Sequence, residues 1–277
     1  MNQPRFAGPD DLGDRERAAL EALLFRLADD EYVAAERYIE WQIFAPTLES
    51  DLALANVAQD EYGHARLWYD LLQDLGYSEQ ELIWERPPEN WRHATLVELE
   101  TEPGDWADTM VRTYLYDTAE QLRMEAIVDS SYAPLRDRVG KVLAEESYHR
   151  EHAQNWLDRL ADEGSEESRA RVQTALDRLF PHALTLFAPG PDEDEILELG
   201  FRTETLGDLR TEWLEIVVPY LESLGLDVPE PDEVARPETT GRDGDHTDDW
   251  FDLYEEFTAT YRRLDFEKPT TLRGEGA

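Results

Sequence analysis

The sequence predicts an all-α protein: a four-helix bundle with one long crossover, followed by additional C-terminal helices. Three observations predict it. Apolar residues recur in steps of three and four along four long segments, the period of one helix face. Those segments are joined by a short loop, a long irregular connection and a second short loop. The second and fourth segments also superpose as an internal repeat, with Val57 on Val142, Glu61 on Glu146, His64 on His149 and Leu75 on Leu160.

The first helix is expected from Asp14 to Gln42, with the stripe Leu20, Leu24, Leu27, Glu31, Ala34, Tyr38. A connection containing Pro46 and Thr47 leads to the second, with Ser50 as its N-cap and Gly76 as its stop. Its stripe is Leu54, Val57, Glu61, His64, Trp68, Leu71, Leu75. Residues 77–104, with Pro87, Pro88, Pro103 and Gly104, read as the long crossover. The third helix, Asp105 to Asp129, carries Met110, Thr113, Asp117, Glu120, Met124 and Ile127 on one side. After a break at Ser130 to Pro134, the fourth runs to Leu160 with the stripe Val139, Val142, Glu146, His149, Ala153, Trp156, Leu160.

Two further helices are expected, Ser165 to Leu184, disturbed by Pro181, and Thr205 to Leu224, with Pro219 near its end. Residues 227–245, rich in proline and acid, read as a linker or surface loop. A last amphipathic helix, Asp248 to Leu264, presents Trp250, Leu253, Tyr254, Phe257 and Tyr261, and residues 265–277 read as a disordered tail. With no strand pattern and no second core, the chain is expected to be one domain, residues 1–277. Its core bundle spans about 14–160 and its accessory helices about 165–264. One long crossover between two helical hairpins is the ferritin-like arrangement.

Composition narrows the function. The formal charge of −38 comes from 64 acidic against 26 basic residues, spread along nearly every segment. That argues for a solvated surface adapted to very high salt, as in a halophile, because the Debye length is about 3 Å at 1 M salt. Nucleic acid is not an expected partner. The chain has no cysteine, which excludes disulfides, thiolate metal sites and iron–sulfur clusters within it. No apolar run reaches the ~18 residues of a membrane span. The N-terminus lacks a signal-peptide pattern, so a cytoplasmic location is expected.

Polar side chains on the stripes carry the chemistry. Residues three apart on a helix have Cβ atoms about 5–6 Å apart, so Glu61 with His64, and Glu146 with His149, can each ligate a single ion. Each pair lies in register on an apolar face and follows an acid on the partner helix of its hairpin, Glu31 or Asp117. Four carboxylates and two imidazoles therefore face one interior, and the four stripes supply no Arg or Lys to balance them. Two divalent cations would; protonated acids are the metal-free alternative. A carboxylate from each of two helices plus Glu-x-x-His from each of the others is the di-iron or di-manganese bundle pattern. Iron is expected, with manganese the alternative.

Glu120, one turn after Asp117, could replace or supplement it. Asp60 and Glu145 read as supporting or solvated groups, and His152 as a residue of the bundle flank. His93, His182 and His246 show no partner pattern. Tyr62, Tyr114 and Tyr148 lie near enough in sequence to host a radical, although packing is the commoner role.

At these residues the chain resembles the phenylacetyl-CoA epoxidase family of phenylacetate catabolism. The segment DLALANVAQDEYGHARL looks like the second-helix signature of its C-type subunit, and PETTGRDGDHTDDWFDLYEEFTATYRRL is similar to the last segment of that same type. In that family the di-iron site belongs to the A-type subunit, and the C-type has typically lost ligands. Here the A-type pattern is matched by Glu31, Glu61, His64, Asp117, Glu146 and His149.

The resemblance implies a subunit of a multicomponent di-iron monooxygenase, with those six residues as metal ligands and catalytic residues. It would use O2 to epoxidise the ring of an aromatic acyl-CoA. Electrons would come from NAD(P)H through a separate reductase, since the chain has no Gly-x-Gly-x-x-Gly turn and no cysteines. Partners implied are the A-type and B-type subunits and the reductase, in a hetero- or homo-oligomer. Arg66, Arg112, Arg123 and Arg150 are candidates for the CoA phosphates. Two rival classes remain: a non-catalytic structural subunit of that complex, and a self-sufficient ferroxidase or manganese catalase.

Overall fold

The structure, a computed structural model, describes residues 5–100, 104–235 and 237–264. Among these residues the regular elements are helical: α1 (Asp14–Trp41), α2 (Leu48–Asp74), α3 (Thr95–Glu98), α4 (Trp106–Glu125), α5 (Ala133–Leu157), α6 (Glu166–Ala183), α7 (Glu193–Glu198), α8 (Leu206–Ser223) and α9 (Asp248–Leu264). The chain is all-α and ferritin-like. The hairpins α1–α2 and α4–α5 make the most extensive pairings, α2 packs on α5, and α6 and α8 cover α4. The expected tail, residues 265–277, lies outside the described residues.

The predicted stripes of α1, α2 and α4 are buried at every position, acids and His64 included. Local chemistry fixes their ends. The Asp105 side chain caps α4 by accepting from Ala107 N, and Gly76 ends the α2 hairpin arm at φ +104°, a conformation that favours glycine. The cap of α2 is Thr47 rather than Ser50. Its hydroxyl accepts from Ser50 N at 3.2 Å, because the helix begins at Leu48.

The fourth stripe departs from its expected register at the end. A π turn at Asp158–Asp162 widens the helix. The buried series runs Ala153, Leu157, Ala161, already shifted within α5 before that turn, and Trp156 and Leu160 are only half-buried.

Among its described residues the segment 227–245 runs mostly over the surface, as the loop alternative expects, but it is anchored near its end. Arg242 reaches inward and is 2% exposed. Gly241 lies so close to the crossover that a Cβ there would fall 2.1 Å from the His93 carbonyl oxygen, which excludes any side chain. The crossover is tied down in turn. The Asp29 carboxylate accepts from Tyr69 Oη (2.8 Å), Arg86 Nη2 (2.5 Å) and Arg92 N (2.8 Å). At the other end of the chain, Phe6 N donates to Ser131 O and Ala133 N to Phe6 O. That holds the N-terminal arm on the α4–α5 turn.

Candidate metal centre

Glu31, Glu61, His64, Asp117, Glu146 and His149 are all fully buried, delivered by α1, α2, α4 and α5. Four of them, Glu31, Glu61, His64 and Glu146, offer ligand atoms that lie within 4.8 Å of one another. His64 Nδ1 stands 3.3 Å from Glu146 Oε1 and 3.6 Å from Glu31 Oε2. His149 Nδ1 stands 3.3 Å from Glu61 Oε1 and 3.6 Å from Glu146 Oε1. The two imidazoles thus face Glu61 and Glu146 from either side, as the internal repeat requires. Asp117 lies outside the tight group; its Oδ1 accepts from Tyr38 Oη at 3.2 Å.

Both rings are held from behind by a carboxylate on the opposite helix. His64, on α2, has Nε2 2.8 Å from Glu145 Oε2 on α5. His149, on α5, has Nε2 3.4 Å from Asp60 Oδ2 on α2. A carboxylate on the outer nitrogen fixes the tautomer and leaves Nδ1 free to ligate.

The electrostatics are those of buried acids and imidazoles crowded together. Burial and repulsion from Glu31 and Glu146 push Glu61 well above the usual carboxylate range. Burial and Glu146 do the same to Asp117. Burial would also raise Glu146, but hydrogen bonds and charge from His149 and His64 outweigh it and hold it at about 2. His64, which burial would lower, is pushed up to about 12 by Glu146 and Glu31. His149 is likewise raised, by Asp60, Glu146 and Glu61.

Both carboxylate oxygens of Glu31, Glu61 and Glu146 are buried without a hydrogen-bond partner, as are Oδ2 of Asp117 and Nδ1 of both histidines. Buried polar atoms are almost always satisfied. So many orphans aimed at one interior fit a site shaped for cations.

Several expectations need correction. The stripes themselves carry no Arg or Lys, as expected, but a cation from off the stripe reaches the interior: Arg123 Nη1 lies 3.2 Å from Glu120. Glu120 thus faces a guanidinium, although both its oxygens, like Oδ2 of Asp117, are without a hydrogen bond. Pairing Glu120 with Arg123 returns the uncompensated set to four carboxylates. Arg123 and Arg112 are also unsuited to bind CoA phosphates. Arg112 is spent on the carbonyls of Leu96, Leu99 and Glu100 and on Asp108, and Arg123 on Asp30 and Glu120. Arg66 and Arg150 are half-buried.

Tyr148 is 52% exposed and stacks on the half-buried His152. Tyr114 packs on Tyr220, and Tyr62 on Tyr32. Tyr148 also meets His149 edge-on, with ring centroids 6.2 Å apart, and Tyr38, which the periodicity marked only as core, donates to Asp117.

A second cluster went unread in the sequence. His93 Nε2 and His246 Nδ1 each lie 2.7 Å from the same oxygen of Glu98. Thr247 N donates to its other oxygen at 2.9 Å, and the two imidazoles stack at 4.4 Å. The partners are separated by 148 residues and share no periodic stripe, so nothing local signals them.

A ferritin-like bundle with a carboxylate–imidazole interior defines the class, and similarity to known proteins gives the family. The chain belongs to the family described as Phenylacetic acid catabolic protein, whose model matches residues 1–267. It is 31% identical over 235 residues to the C-type subunit of the 1,2-phenylacetyl-CoA epoxidase of Escherichia coli (strain K12), covering 83% of this chain and 90% of the relative. It is 29% identical over 196 residues to the A-type subunit of the same enzyme, covering 69% of this chain and 62% of that relative. No helix among the described residues is long and apolar enough to cross a membrane.

Proposed function

We propose that this chain is a single-domain, metal-bearing subunit of a multicomponent oxygenase of phenylacetate catabolism, acting on the ring of phenylacetyl-CoA or a related aromatic acyl-CoA. The observation that carries the reading is the set of orphaned ligand atoms on Glu31, Glu61, His64, Asp117, Glu146 and His149. Similarity to two subunits of one epoxidase supports the reaction class. The chain matches the C-type relative over most of that relative's length, yet its interior gathers carboxylates and imidazoles of the kind a di-metal site uses. That combination favours a catalytic subunit over a structural one.

In this reading Glu31, Glu61 and His64 hold one ion, and Glu146, His149 and Asp117 the other, with Glu61 and Glu146 lying between the two imidazoles. Four carboxylates balance two divalent cations, iron in preference to manganese. Bound iron supplies O2 activation and transfer of an oxygen atom to an arene bond. The protein's own contribution is orientation and exclusion of water. Asp60 and Glu145 aim the imidazoles, Tyr38 donates a hydrogen bond to Asp117, and full burial keeps bulk water from the reacting groups. Electrons come from NAD(P)H through a separate reductase, and the remaining epoxidase subunits are the expected partners.

The test is metal analysis with Mössbauer spectroscopy on protein purified in high salt, followed by turnover of the reconstituted complex carrying Glu61→Ala. Two irons per chain and loss of turnover are expected. An iron-free chain, or unchanged turnover, refutes the catalytic reading.

A further inference from the structure

Away from the metal ligands, four arginines converge on one small cavity. Arg26 comes from α1, Arg123 from α4, Arg202 from the turn after α7, and Arg242 from the segment before α9. They are 6%, 6%, 3% and 2% exposed. With Leu23 and Ile127 they line a space of about 20 Å³. One water needs about 10–15 Å³, so the cavity admits a single-centre occupant.

Their carboxylate partners can be counted. Asp30 accepts from Arg123 Nη1 and Arg242 Nη2, both at 2.6 Å. Glu120 lies 3.2 Å from Arg123. Asp30 and Glu120 therefore neutralise Arg123 and Arg242. Among the described residues, Glu193 alone faces both Arg26, at 3.3 Å, and Arg202. Among the described residues, four guanidiniums against three carboxylates leave one positive charge in surplus. Arg26 registers it: burial, then the positive charges of Arg242 and Arg202, pull its pKa down to about 10 despite Glu193.

An uncompensated buried ion costs several kcal/mol. Water can fill the space but cannot cancel the charge, and a dianion such as sulfate would overcompensate it. We propose that the cavity binds one monovalent anion of the halide class, with chloride the simplest member.

The net charge of −38 repels anions from the molecule as a whole. At 1 M salt, however, the Debye length is about 3 Å, and the local field of the four guanidiniums governs occupancy. The inference does not rest on the metal reading and is tested without turnover.

The experiment compares thermal unfolding of the full chain in sodium chloride, bromide and gluconate at one fixed high ionic strength. As chloride or bromide replaces gluconate, the melting temperature should rise saturably by a few degrees. Crystals grown in bromide should show an anomalous peak inside the cavity. The variant Arg202→Met leaves three guanidiniums for three carboxylates; it should unfold at the same temperature in chloride and gluconate. Equal melting of the parent chain in all three salts would overturn the proposal. So would a shift that Arg202→Met retains, or bromide peaks confined to the surface.

Discussion

In the proposed centre, replacing Glu145 with alanine should weaken metal binding about 10- to 100-fold. The reasoning starts from His64. Its Nδ1 faces Glu146 at 3.3 Å and Glu31 at 3.6 Å only while the ring is held in one orientation. The hold is the 2.8 Å contact from Nε2 to Glu145, reaching across from the neighbouring helix. Without it the ring can turn and the tautomer is no longer specified. The expected loss corresponds to about 1.4–2.8 kcal/mol.

Asp60→Ala should cost less. Its contact to His149 is longer, at 3.4 Å, and its side chain is 37% exposed against 29% for Glu145. Lys141 lies 3.0 Å from Glu145 but is 57% exposed. Such a surface pair is worth about 0–1 kcal/mol, so Lys141→Ala should change affinity less than about fivefold. The assay is anaerobic titration of apo-protein with Fe(II), or with Mn(II) against a competing chelator, in high salt. Parent-like affinity of Glu145→Ala would refute the reasoning, as would a larger loss from Asp60→Ala.

Three other outcomes are expected. Asp30→Ala leaves the buried Arg242 without a carboxylate and Arg123 with Glu120 alone, and should cost about 3–5 kcal/mol in denaturant unfolding; a loss below about 1 kcal/mol would mean that water rescues the site. Acid should destabilise the chain through the Glu98 cluster. Burial would raise Glu98, but hydrogen bonds from His246 and His93 hold it at about 2, so its stabilisation exists above the unfolded carboxylate value and disappears as pH falls toward 2. Burial and His246 hold His93 at about 4; the unfolded chain takes up that proton first, and stability should fall as pH drops from about 6.5 to 4. The replacement Glu98→Gln should flatten the acid limb of a pH–stability curve, and an unchanged limb would assign acid lability elsewhere. Finally, a charge of −38 makes self-repulsion the dominant salt-sensitive force. The melting temperature should climb between about 0.1 and 2 M salt even with gluconate as the anion, and a flat profile would remove the case for a high-salt surface.

The sequence made legible whatever repeats every three or four residues. The stripes of α1, α2 and α4 predicted burial at each position, and the internal repeat placed Glu61 and His64 opposite Glu146 and His149. Three things escaped it. The end of the fourth stripe steps by four, Ala153, Leu157, Ala161, where the expected stripe took three, and a helical template allows either step. The Glu98 cluster joins residues 148 apart that share no element. Residues 227–245 read as a linker or surface loop because proline and acid dominate, and only their contacts show that Arg242 is bound inside.

The triplet Asp29-Asp30-Glu31 shows why periodicity is both informative and incomplete. Successive helical residues point about 100° apart, so three neighbouring acids cannot share one face. The stripe singles out Glu31 and implies that the other two meet solvent, yet all three are fully buried. Asp29 is bound to Arg86 and the Arg92 amide on the crossover. Asp30 is bound to the Ala94 amide, to Arg123 on α4 and to Arg242. One helical turn of α1 thus anchors the crossover, the third bundle helix and the C-terminal segment while aiming Glu31 inward. Its backbone is braced on the sides away from the candidate metals. Glu31 can therefore stay poised without a hydrogen-bond partner of its own, because the ordering it needs is supplied by its two neighbours.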